Sequence, residues 1–380
     1  MKPLEGLLVL EFSQYLAAPL AGLKLADLGA RVIKIERHKT GEGCRQIVIK
    51  NLFIGDDSLV FHTINRNKQS YAANLKDPED LARVKKLIAM ADVMTHNFRP
   101  GIMEKIGLDY NTVKNINPKI VYGVVTGYGN KGPWVKKPGQ DLLVQSLSGL
   151  TYLTGAANQD PIPMGLAVSD ILTGNHFTQG ILAALVRRGK TNKGALVEVS
   201  LMESTLDFQF EVLTTHFNDG GKEPQRAKKG GGHTYLSAPY GIYKTKDHYI
   251  SIAMVPVTKL ADILDMELPL QFRSPKNWFK YRDEIMDLIQ EALIVKTTHE
   301  WINKMTKEGI WCSEVFNYGD ITSHEGYKVL KMEQKVTTSS GDNITTTRFP
   351  VRIDGERYYS AKAAPMVGED TKNIDEEFNL

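Results

Sequence analysis

The chain has 380 residues, of which 42% are hydrophobic and 24% are charged, a composition typical of a globular protein with roughly two or three domains. Its formal net charge of +3 is too balanced to indicate a nucleic-acid partner, although it allows a local basic pocket for a phosphorylated small molecule. Glu5 and Glu11 interrupt the opening apolar run, and no segment reaches the ~20 apolar residues that span a bilayer. Cys44 and Cys312 lie far apart, outside any metal-binding spacing. We therefore expect a cytoplasmic protein with free thiols, no membrane contact and no bound metal.

The first half of the chain alternates strand-like and helix-like segments, and this order predicts an α/β fold with a parallel sheet. Short apolar runs predict strands at residues 7–12, 31–36, 92–96 and 119–125. Helical spacing predicts helices at residues 19–28, 77–90 and 110–116. The second helix has a strong start signal, because Asp77 can cap it, Pro78 suits its first turn and acids follow.

The character of the chain changes from Gln140 onward. Here we predict helices at residues 140–150, 169–186 and 202–213, with a strand at 195–199. The basic residues and the glycine of Arg187-Arg188-Gly189 should end the second helix. A Gly- and Lys-rich stretch at residues 218–233 predicts a long loop and a domain boundary. Beyond it we expect a hairpin at 239–253, helices at 259–265, 277–291 and 298–308, strands near 334–336 and 345–353, and a polar end.

Several common enzyme signatures are absent from the sequence. No GxGxxG follows the first strand, and there is no P-loop, HExxH, GxSxG or paired CxxC. The informative acid is Asp170, which follows Ser169 at the start of a predicted helix. Such an acid is more commonly a helix cap that complements the helix dipole. It could instead be an ionised carboxylate, shielded from water, that attacks a thioester, and the residues alone do not separate these interpretations.

Three further segments allow both a structural and a functional interpretation. Gly139-Gln140-Asp141 is either a loop before a helix or part of an active site. Residues 97–101 follow a predicted strand, where they form a turn or a nucleotide contact. The Gly230-Gly231-Gly232-His233 stretch is either a linker or a mobile glycine loop over an active site.

Taken together and in order, the segments of this chain resemble the class III CoA-transferase family, which contains formyl-CoA transferase, the carnitine CoA-transferases and α-methylacyl-CoA racemase. The resemblance covers nearly the whole chain. Its segments are LEGLLVLEF with AAPLAGLKLADLGARVIKIE, NRNKQS at 65–70, ADVMTHNFRPG at 91–101, GQDLLVQSLSGL at 139–150, GLAVSD at 165–170, APYGIYKTKDHYISIA at 238–253, GIWCSEV at 309–315 and APMVGEDT at 364–371.

The resemblance implies an architecture that the residue patterns do not. It implies an α/β fold in which a Rossmann-like parallel-sheet large domain is joined to a smaller α+β domain, with two chains interlocked as a homodimer. By position, residues 1–220 form the large CoA-binding domain, completed by 324–380, and residues 221–323 form the small domain.

The resemblance also implies an active site. Asp170 matches the transferase nucleophile, and Gln140, Gly231 and Gly232 match other catalytic positions. Formyl-CoA transferase differs from this chain at Leu16, where it has glutamine, and at Gln140-Asp141, where it has tyrosine and glutamate. The positions implied to bind coenzyme A are Leu16, Ala17, Arg37, Ala73, Asn74, Leu75, Lys76, Asn97, Phe98, Arg99, Lys105 and Asp141. The cationic members of this set suit the CoA phosphates.

The implied reaction moves coenzyme A from an acyl-CoA donor to a free, small carboxylic acid through an aspartyl anhydride and an aspartyl-CoA thioester. Coenzyme A and acyl-CoA are then substrates, and no permanently bound cofactor is expected. A racemase of the same family is disfavoured, because Gln140 stands where its branch has a proton-transferring histidine. A non-catalytic CoA-binding protein remains an alternative, as does a dinucleotide-dependent enzyme, against which the missing glycine fingerprint argues.

Overall fold

The computed structural model describes residues 2–380. Its backbone contacts group the chain into two compact units, each built from separate stretches of sequence. Unit 1 contains the chain up to Val144, Ala167–Phe208 and Val329–Leu380, and unit 2 contains Gln145–Leu166 and Gln209–Lys328. The domain boundaries at 220 and 323 that the resemblance implies stay a prediction.

The described chain contains strands and helices in alternation. The strands are β1 (Leu8–Glu11), β2 (Arg31–Glu36), β3 (Phe53–Ile54), β4 (Asp57–Ser58), β5 (Gln69–Ala72), β6 (Val93–His96), β7 (Val121–Thr126), β8 (Ala195–Ser200), β9 (Gly241–Lys244), β10 (Tyr249–Ile252), β11 (Cys312–Glu314), β12 (Glu333–Thr337), β13 (Asn343–Thr347), β14 (Arg352–Ile353) and β15 (Glu356–Arg357). The helices are α1 (Ala17–Asp27), α2 (Leu59–Asn65), α3 (Pro78–Met90), α4 (Ile102–Ile106), α5 (Tyr110–Ile116), α6 (Asp141–Leu147), α7 (Val168–Thr191), α8 (Leu201–Phe208), α9 (Phe210–Asn218), α10 (Val257–Leu264), α11 (Arg282–Leu293), α12 (Thr298–Lys307), α13 (Tyr318–Ser323), α14 (Glu325–Leu330) and α15 (Thr371–Phe378).

Unit 1 is organised by a six-stranded sheet in the order β5-β2-β1-β6-β7-β8. Every neighbouring pair in this sheet is parallel, which confirms the predicted parallel α/β sheet. Side chains of β1 alternate between two apolar layers: Leu8 and Leu10 pack with α3 and α5, whereas Val9 packs with α1 and α7. Because both faces are covered by helices, the central strands are buried and read as continuous apolar runs.

Local sequence signals explain the elements that were predicted most closely. The bounds of β2 and α5 match the predicted residues. Helix α3 begins after Asp77, whose carboxylate accepts hydrogen bonds from the backbone N–H groups of Glu79 and Asp80 at 3.0 and 3.1 Å. Pro78 occupies its first turn, where a missing N–H costs nothing.

Other elements differ from the predictions because distant contacts decide them. Helix α7 continues through Gly189 and ends before Asn192, whose φ of 56° places it in the left-handed region that often terminates helices. The single helix predicted at 202–213 is two helices, α8 and α9, separated at Gln209.

Strand β5 at the edge of the sheet was missed, because its sequence is short and half polar. Its Ser70 is nevertheless buried, and the Ser70 N–H donates to Asp370 at 2.9 Å. The predicted polar end contains helix α15, whose Ile374 lies in the core. The chain terminus and the edge strand therefore stabilise each other within unit 1.

Unit 2 has its own core. Its antiparallel sheet has the order β11-β10-β9, and the predicted hairpin corresponds to β9 and β10. Trp301 of α12 is 1% exposed and packs with helices α10 and α11. Helix α12 begins with a reciprocal capping box between Thr297 and Glu300, a common device that satisfies backbone donors at a helix start.

Candidate active site

The carboxyl ends of the parallel strands define the edge where a ligand is expected. The chain leaves β1 on one side toward β2 and β5 and reaches β6 on the other side, so the strand order reverses at β1 and β6. In open α/β sheets, ligands bind outside the carboxyl ends of the strands at such a reversal. The expected CoA contacts lie directly after four of these strands: Leu16 and Ala17 after β1, Arg37 after β2, Ala73–Lys76 after β5 and Asn97–Arg99 after β6. The structure therefore brings them to one edge, called here the carboxyl edge.

Two loops of the carboxyl edge are tied together across the reversal point. The Gln14 N–H donates to Asn97 Oδ1 at 2.8 Å, and Asn97 Nδ2 donates to the Gln14 carbonyl at 2.7 Å. This pair of hydrogen bonds resembles a short piece of sheet, so it fixes the register between the loops after β1 and β6. Asn97 is thus a structural part of this edge as well as a predicted contact.

Phe98 is held by a stack of aromatic rings. Its ring lies 6.2 Å from the ring of His96 at an interplanar angle of 24°, and His96 meets Tyr122 edge to face at 5.4 Å. Burial lowers the pKa of His96 to about 4, so the imidazole is neutral near pH 7. A partly exposed Phe98 on a fixed neutral support can offer a flat face to a purine.

The predicted phosphate contacts are exposed cations. Arg37, Lys76, Arg99 and Lys105 are all exposed, and within residues 2–380 none of their side chains takes part in an ion pair. Lys105 lies in α4, which follows Arg99 after β6. Exposed, unpaired cations near one sheet edge are available to a polyanionic ligand.

Asp170 lies in the first turn of α7, the 24-residue helix that crosses one face of the sheet. The residue as a whole is half-buried. Burial, followed by the negative charge of Asp141, raises the pKa of Asp170 to about 7. A half-buried carboxyl whose pKa lies near neutral pH is typical of a functional group.

The Asp141 carboxylate accepts hydrogen bonds from backbone N–H groups at the start of α7. Its Oδ1 atom accepts hydrogen bonds from the N–H groups of Ser169 at 2.7 Å and of Asp170 at 3.2 Å. Asp141 therefore acts as a cap for a helix that begins 27 residues later in the chain. Gln140 is the exposed residue immediately before it, so the structure brings Gln140, Asp141 and Asp170 together.

Helix α7 also contacts the loop after β1. A Cβ atom placed on Gly174 would lie 2.7 Å from the Ala17 carbonyl oxygen, so glycine is required for the close packing of α1 on α7. Gly174 follows Asp170 by four residues, which is about 6 Å along the helix. The predicted nucleophile and two predicted CoA contacts, Leu16 and Ala17, therefore lie on neighbouring elements of unit 1.

Gly231 and Gly232 belong to unit 2, in the loop that was predicted at 218–233. Added Cβ atoms there would lie 2.6 Å from Ala227 Cβ and 2.6 Å from Tyr240 Cε1, respectively. Gly230 carries a φ of 68°, and its carbonyl accepts a 2.7 Å hydrogen bond from the Ile242 N–H. Close packing against Ala227 and Tyr240 is thus a structural reason for glycine at 231 and 232, and the catalytic role expected from the resemblance stays a prediction.

Sequence reasoning missed a buried ionic network beneath the carboxyl edge. Glu11, Lys34 and Lys68 are each 0% exposed, and Lys34 Nζ and Lys68 Nζ both lie 2.9 Å from Glu11 Oε1. Lys34 also lies 3.1 Å from Glu42. Burial opposes the charge on Lys34, but Glu11 and then Glu42 raise its pKa above the usual range. Charged residues within the strand patterns LVLE and RVIKIE were the available signal.

Two other classes of site have no support in the described part of the chain. Among residues 2–380, no cluster of three or more His, Cys, Asp or Glu side chains is arranged to hold a metal ion. No helix in the same range combines the length and the apolar character that crossing a membrane requires.

Comparison with known proteins identifies the family. Residues 4–371 match the model of CoA-transferase family III, so the chain belongs to this family and is an enzyme of the CoA-transferase class. A succinyl-CoA:glutarate CoA-transferase from Mus musculus is 32% identical over 99% of this chain and 86% of its own length. An acetyl-CoA:oxalate CoA-transferase from Acetobacter aceti is 33% identical over 99% of this chain and 96% of its own length.

Solved structures agree with this assignment. A CAIB/BAIF family protein from Brucella suis superimposes with a TM-score of 0.85 at 28% sequence identity, and the match covers 99% of both chains. The resemblance that the sequence motifs indicated is therefore confirmed for the family and for the mixed α/β fold with its parallel sheet.

Proposed function

We propose that this enzyme transfers coenzyme A from an acyl-CoA donor to a free carboxylic acid, with Asp170 as the covalent nucleophile. The observation that carries the proposal is the state of Asp170 itself. It is a half-buried residue at the start of α7 with a pKa of about 7, beside the edge where the expected CoA contacts gather. A simple helix cap would instead use its oxygens on backbone N–H groups, and at α7 that task belongs to Asp141.

The proposed reaction proceeds through covalent intermediates on Asp170, and every acyl and thiol group that leaves one partner is bound by or released to another. An ionised oxygen of Asp170 attacks the thioester carbon of the donor, the carbon–sulfur bond breaks, and a mixed anhydride and CoA thiolate result. The thiolate then attacks the Asp170 carbonyl carbon, which releases the donor acid and leaves an aspartyl-CoA thioester. The acceptor carboxylate attacks the carbonyl carbon of this thioester, the carbon–sulfur bond breaks, and a second anhydride and CoA thiolate result. The thiolate then attacks the acceptor carbonyl of that anhydride, which gives the new acyl-CoA and frees the Asp170 carboxylate.

The carboxyl edge supplies the binding surface in this proposal. Arg37, Lys76, Arg99 and Lys105 are the phosphate contacts, Phe98 packs against the adenine, and Leu16 and Ala17 lie along the pantetheine. Binding energy from the remote nucleotide then holds the thioester against a carboxylate that is a weak nucleophile in water. Gln140 adjoins Asp141 in this site. The catalytic role of Gly231 and Gly232, in a glycine loop that would protect the anhydride from hydrolysis, is carried over from the family resemblance alone.

Small dicarboxylic acids are the favoured substrates. Relatives in the family are named for succinyl-CoA with glutarate, acetyl-CoA with oxalate, and succinyl-CoA with L-malate. We accordingly propose succinyl-CoA as a first donor, with glutarate and oxalate as first acceptors. The interlocked homodimer and the cytoplasmic location implied earlier belong to the same proposal.

A trapping experiment tests the nucleophile. The enzyme is incubated with succinyl-CoA and hydroxylamine, digested, and analysed by mass spectrometry for a hydroxamate on the peptide that contains Asp170. The variant Asp170→Ala should lose trapping and turnover while CoA binding stays close to that of the wild type. A matched control is Asp109→Asn, since Asp109 is another helix-initial aspartate of unit 1 but lies outside the expected site.

Two results would contradict the proposal. One is turnover by Asp170→Ala, and the other is wild-type turnover without any adduct at Asp170. Exchange of an α-proton of the acyl group with deuterated solvent, in the absence of CoA transfer, would instead identify a racemase.

A further inference from the structure

Tyr15 has an unusual backbone at the centre of the carboxyl edge. It lies between Gln14, which is tied to Asn97, and Leu16, where α1 is about to begin. Its φ is 68°, a left-handed conformation that bulky side chains rarely adopt and that is concentrated at functional sites. Its ring is nevertheless 49% exposed, so burial of the ring does not account for this conformation.

A buried carboxylate holds the Tyr15 backbone in this conformation. The Tyr15 N–H donates to Glu42 Oε2 at 2.8 Å, and the same oxygen accepts the Cys44 N–H at 3.0 Å. Glu42 is 5% exposed, and its other oxygen lies 3.1 Å from Lys34 Nζ. Burial raises the pKa of Glu42, but Lys34 and the two backbone donors lower it more, so the clamp stays ionised.

The nearby segment of the same chain, at Gly43, leaves space for the Tyr15 ring. A Cβ atom added to Gly43 would lie 2.9 Å from both Cε1 and Oη of Tyr15, so the ring rests against the bare backbone of Gly43. The φ of Gly43 is not positive, so its own backbone conformation does not require glycine. The absence of a side chain there serves the position of the tyrosine ring.

Tyr15 provides the polar group in an otherwise apolar segment. The four residues that follow it, LAAP, carry no polar side-chain atom, and the Ala17 carbonyl is packed against Gly174 of α7. The Tyr15 hydroxyl has no hydrogen-bond partner within residues 2–380. Tyr15 therefore carries one free hydroxyl donor on the segment that packs beside the nucleophile's helix, and its backbone is held by Glu42. Such a group is suited to bind a polar group of the substrate.

We infer that Tyr15 determines substrate specificity: its hydroxyl donates a hydrogen bond to the distal carboxylate of a dicarboxylic acceptor, an inference that rests on the proposed function. The proximal carboxylate of the acceptor reacts, and the distal one stays ionised and meets the hydroxyl. A monocarboxylic acid of the same length has a methyl group at that position, which cannot accept a hydrogen bond from the Tyr15 hydroxyl. Glu42 is a positioning residue that sets the direction of the ring through the Tyr15 backbone.

Matched acids separate this role from a general effect on activity. Acceptor kinetics are measured with succinate against butyrate and with glutarate against pentanoate, using acetyl-CoA as the donor because its acyl group has no distal carboxylate of its own. The variant Tyr15→Phe, which removes a single oxygen, should lower kcat/KM for both diacids roughly 10-fold, since a hydrogen bond to a charged group is lost. Values for the monoacids, and KM for the acyl-CoA donor, should stay within about twofold of the wild type.

A second test variant and a control variant accompany Tyr15→Phe. Gly43→Ala places a methyl group against the ring while leaving the hydroxyl in the protein, and it should reduce the preference for diacids as Tyr15→Phe does. Tyr359→Phe is the matched control, because Tyr359 is a similarly exposed tyrosine of unit 1, 40% exposed, away from the carboxyl edge. Its acceptor preference should equal that of the wild type.

The outcomes distinguish this inference from the proposed function. If the wild type transfers CoA and Tyr15→Phe slows diacids and monoacids equally, or slows neither, the inference is overturned while the proposed function stands. If the wild type transfers CoA to none of these acids and forms no adduct at Asp170, the proposed function itself fails. Selective loss of diacid activity in both Tyr15→Phe and Gly43→Ala is the expected result.

Discussion

Asp170 should destabilise the folded protein at the pH where it reacts. Its pKa is raised from 3.8 to about 7, by burial and then by Asp141, so the folded protein binds this proton more tightly than the unfolded chain does. Below about pH 4 both states hold the proton and the penalty is absent. The penalty grows as pH rises toward 7, because only the unfolded chain ionises freely there, and it is complete above pH 7.

The variant Asp170→Asn removes this titration while keeping the size of the side chain. A pKa difference of about 3 corresponds to at most ~4 kcal/mol of unfolding free energy, and the partial exposure of the carboxyl reduces this to roughly 1–3 kcal/mol. For a unit of this size, 1 kcal/mol moves the melting temperature by about 2–4 °C. We therefore expect Asp170→Asn to melt roughly 2–12 °C above the wild type at pH 8, and within about 1 °C of it at pH 4.

Thermal unfolding in half-unit steps from pH 4 to pH 8, without CoA, measures the difference. The control is Asp109→Asn, because the Thr112 hydroxyl lowers the pKa of Asp109 at another helix start. Its stabilising effect is lost only as pH falls through this lowered pKa, so that variant should show a constant deficit between pH 5 and pH 8. Either of two results would refute the reasoning: a melting difference between Asp170→Asn and the wild type that does not grow with pH, or a wild type that melts above Asp170→Asn at pH 8.

Three other predictions follow from the site. First, kcat/KM should rise with pH and level off above about pH 7, since the carboxylate form of Asp170 attacks; Asp141→Asn should move the midpoint of this profile to lower pH by removing a negative charge. Second, Asn97→Ala removes both hydrogen bonds between the loops of the carboxyl edge and should raise KM for acyl-CoA roughly 10-fold in steady-state kinetics, with little change in kcat. Third, Gly174→Ala should destabilise the protein by about 1–3 kcal/mol in denaturant unfolding, whereas Gly189→Ala on the same helix meets no atom within 4 Å and should stabilise it by up to about 1 kcal/mol.

The sequence predicted what local patterns determine. Strands β1 and β2 read as apolar runs because the sheet buries them on both faces, and α3 carries its own start signal in Asp77 and Pro78. The end of the strand before Asn97 could also be located, so residues 97–101 could be expected at one edge of the sheet, whereas Arg37 was expected only from the family resemblance. These features depend on neighbours in the chain, or on the general geometry of parallel sheets.

The rest depends on contacts between distant residues. Nothing near Asp141 in the sequence indicates that its carboxylate caps α7, and nothing near Glu42 indicates that it clamps the backbone of Tyr15. Strand β5 is recognisable only with its partner Asp370, about 300 residues later. The motif resemblance located the family, but family motifs do not report which buried charges hold a loop in place.

The contact between Asp141 and α7 bears directly on the proposed chemistry. The first N–H groups of a helix stabilise a nearby carboxylate, and here Asp141 accepts the hydrogen bonds of two of them. Asp170 is left with a negative neighbour and without those donors, so its carboxylate is more basic and a better nucleophile than an ordinary aspartate.

Acylation of Asp170 then removes a negative charge from beside Asp141. In the anhydride and in the aspartyl thioester the side chain is neutral, so the repulsion that raises its pKa disappears in both covalent intermediates. Asp141→Asn retains an acceptor oxygen for the cap and removes the charge, so it should reduce the fraction of enzyme trapped as an adduct at a fixed donor concentration above pH 7. An unchanged trapped fraction in this variant would mean that the charge of Asp141 contributes nothing to the stability of the intermediates.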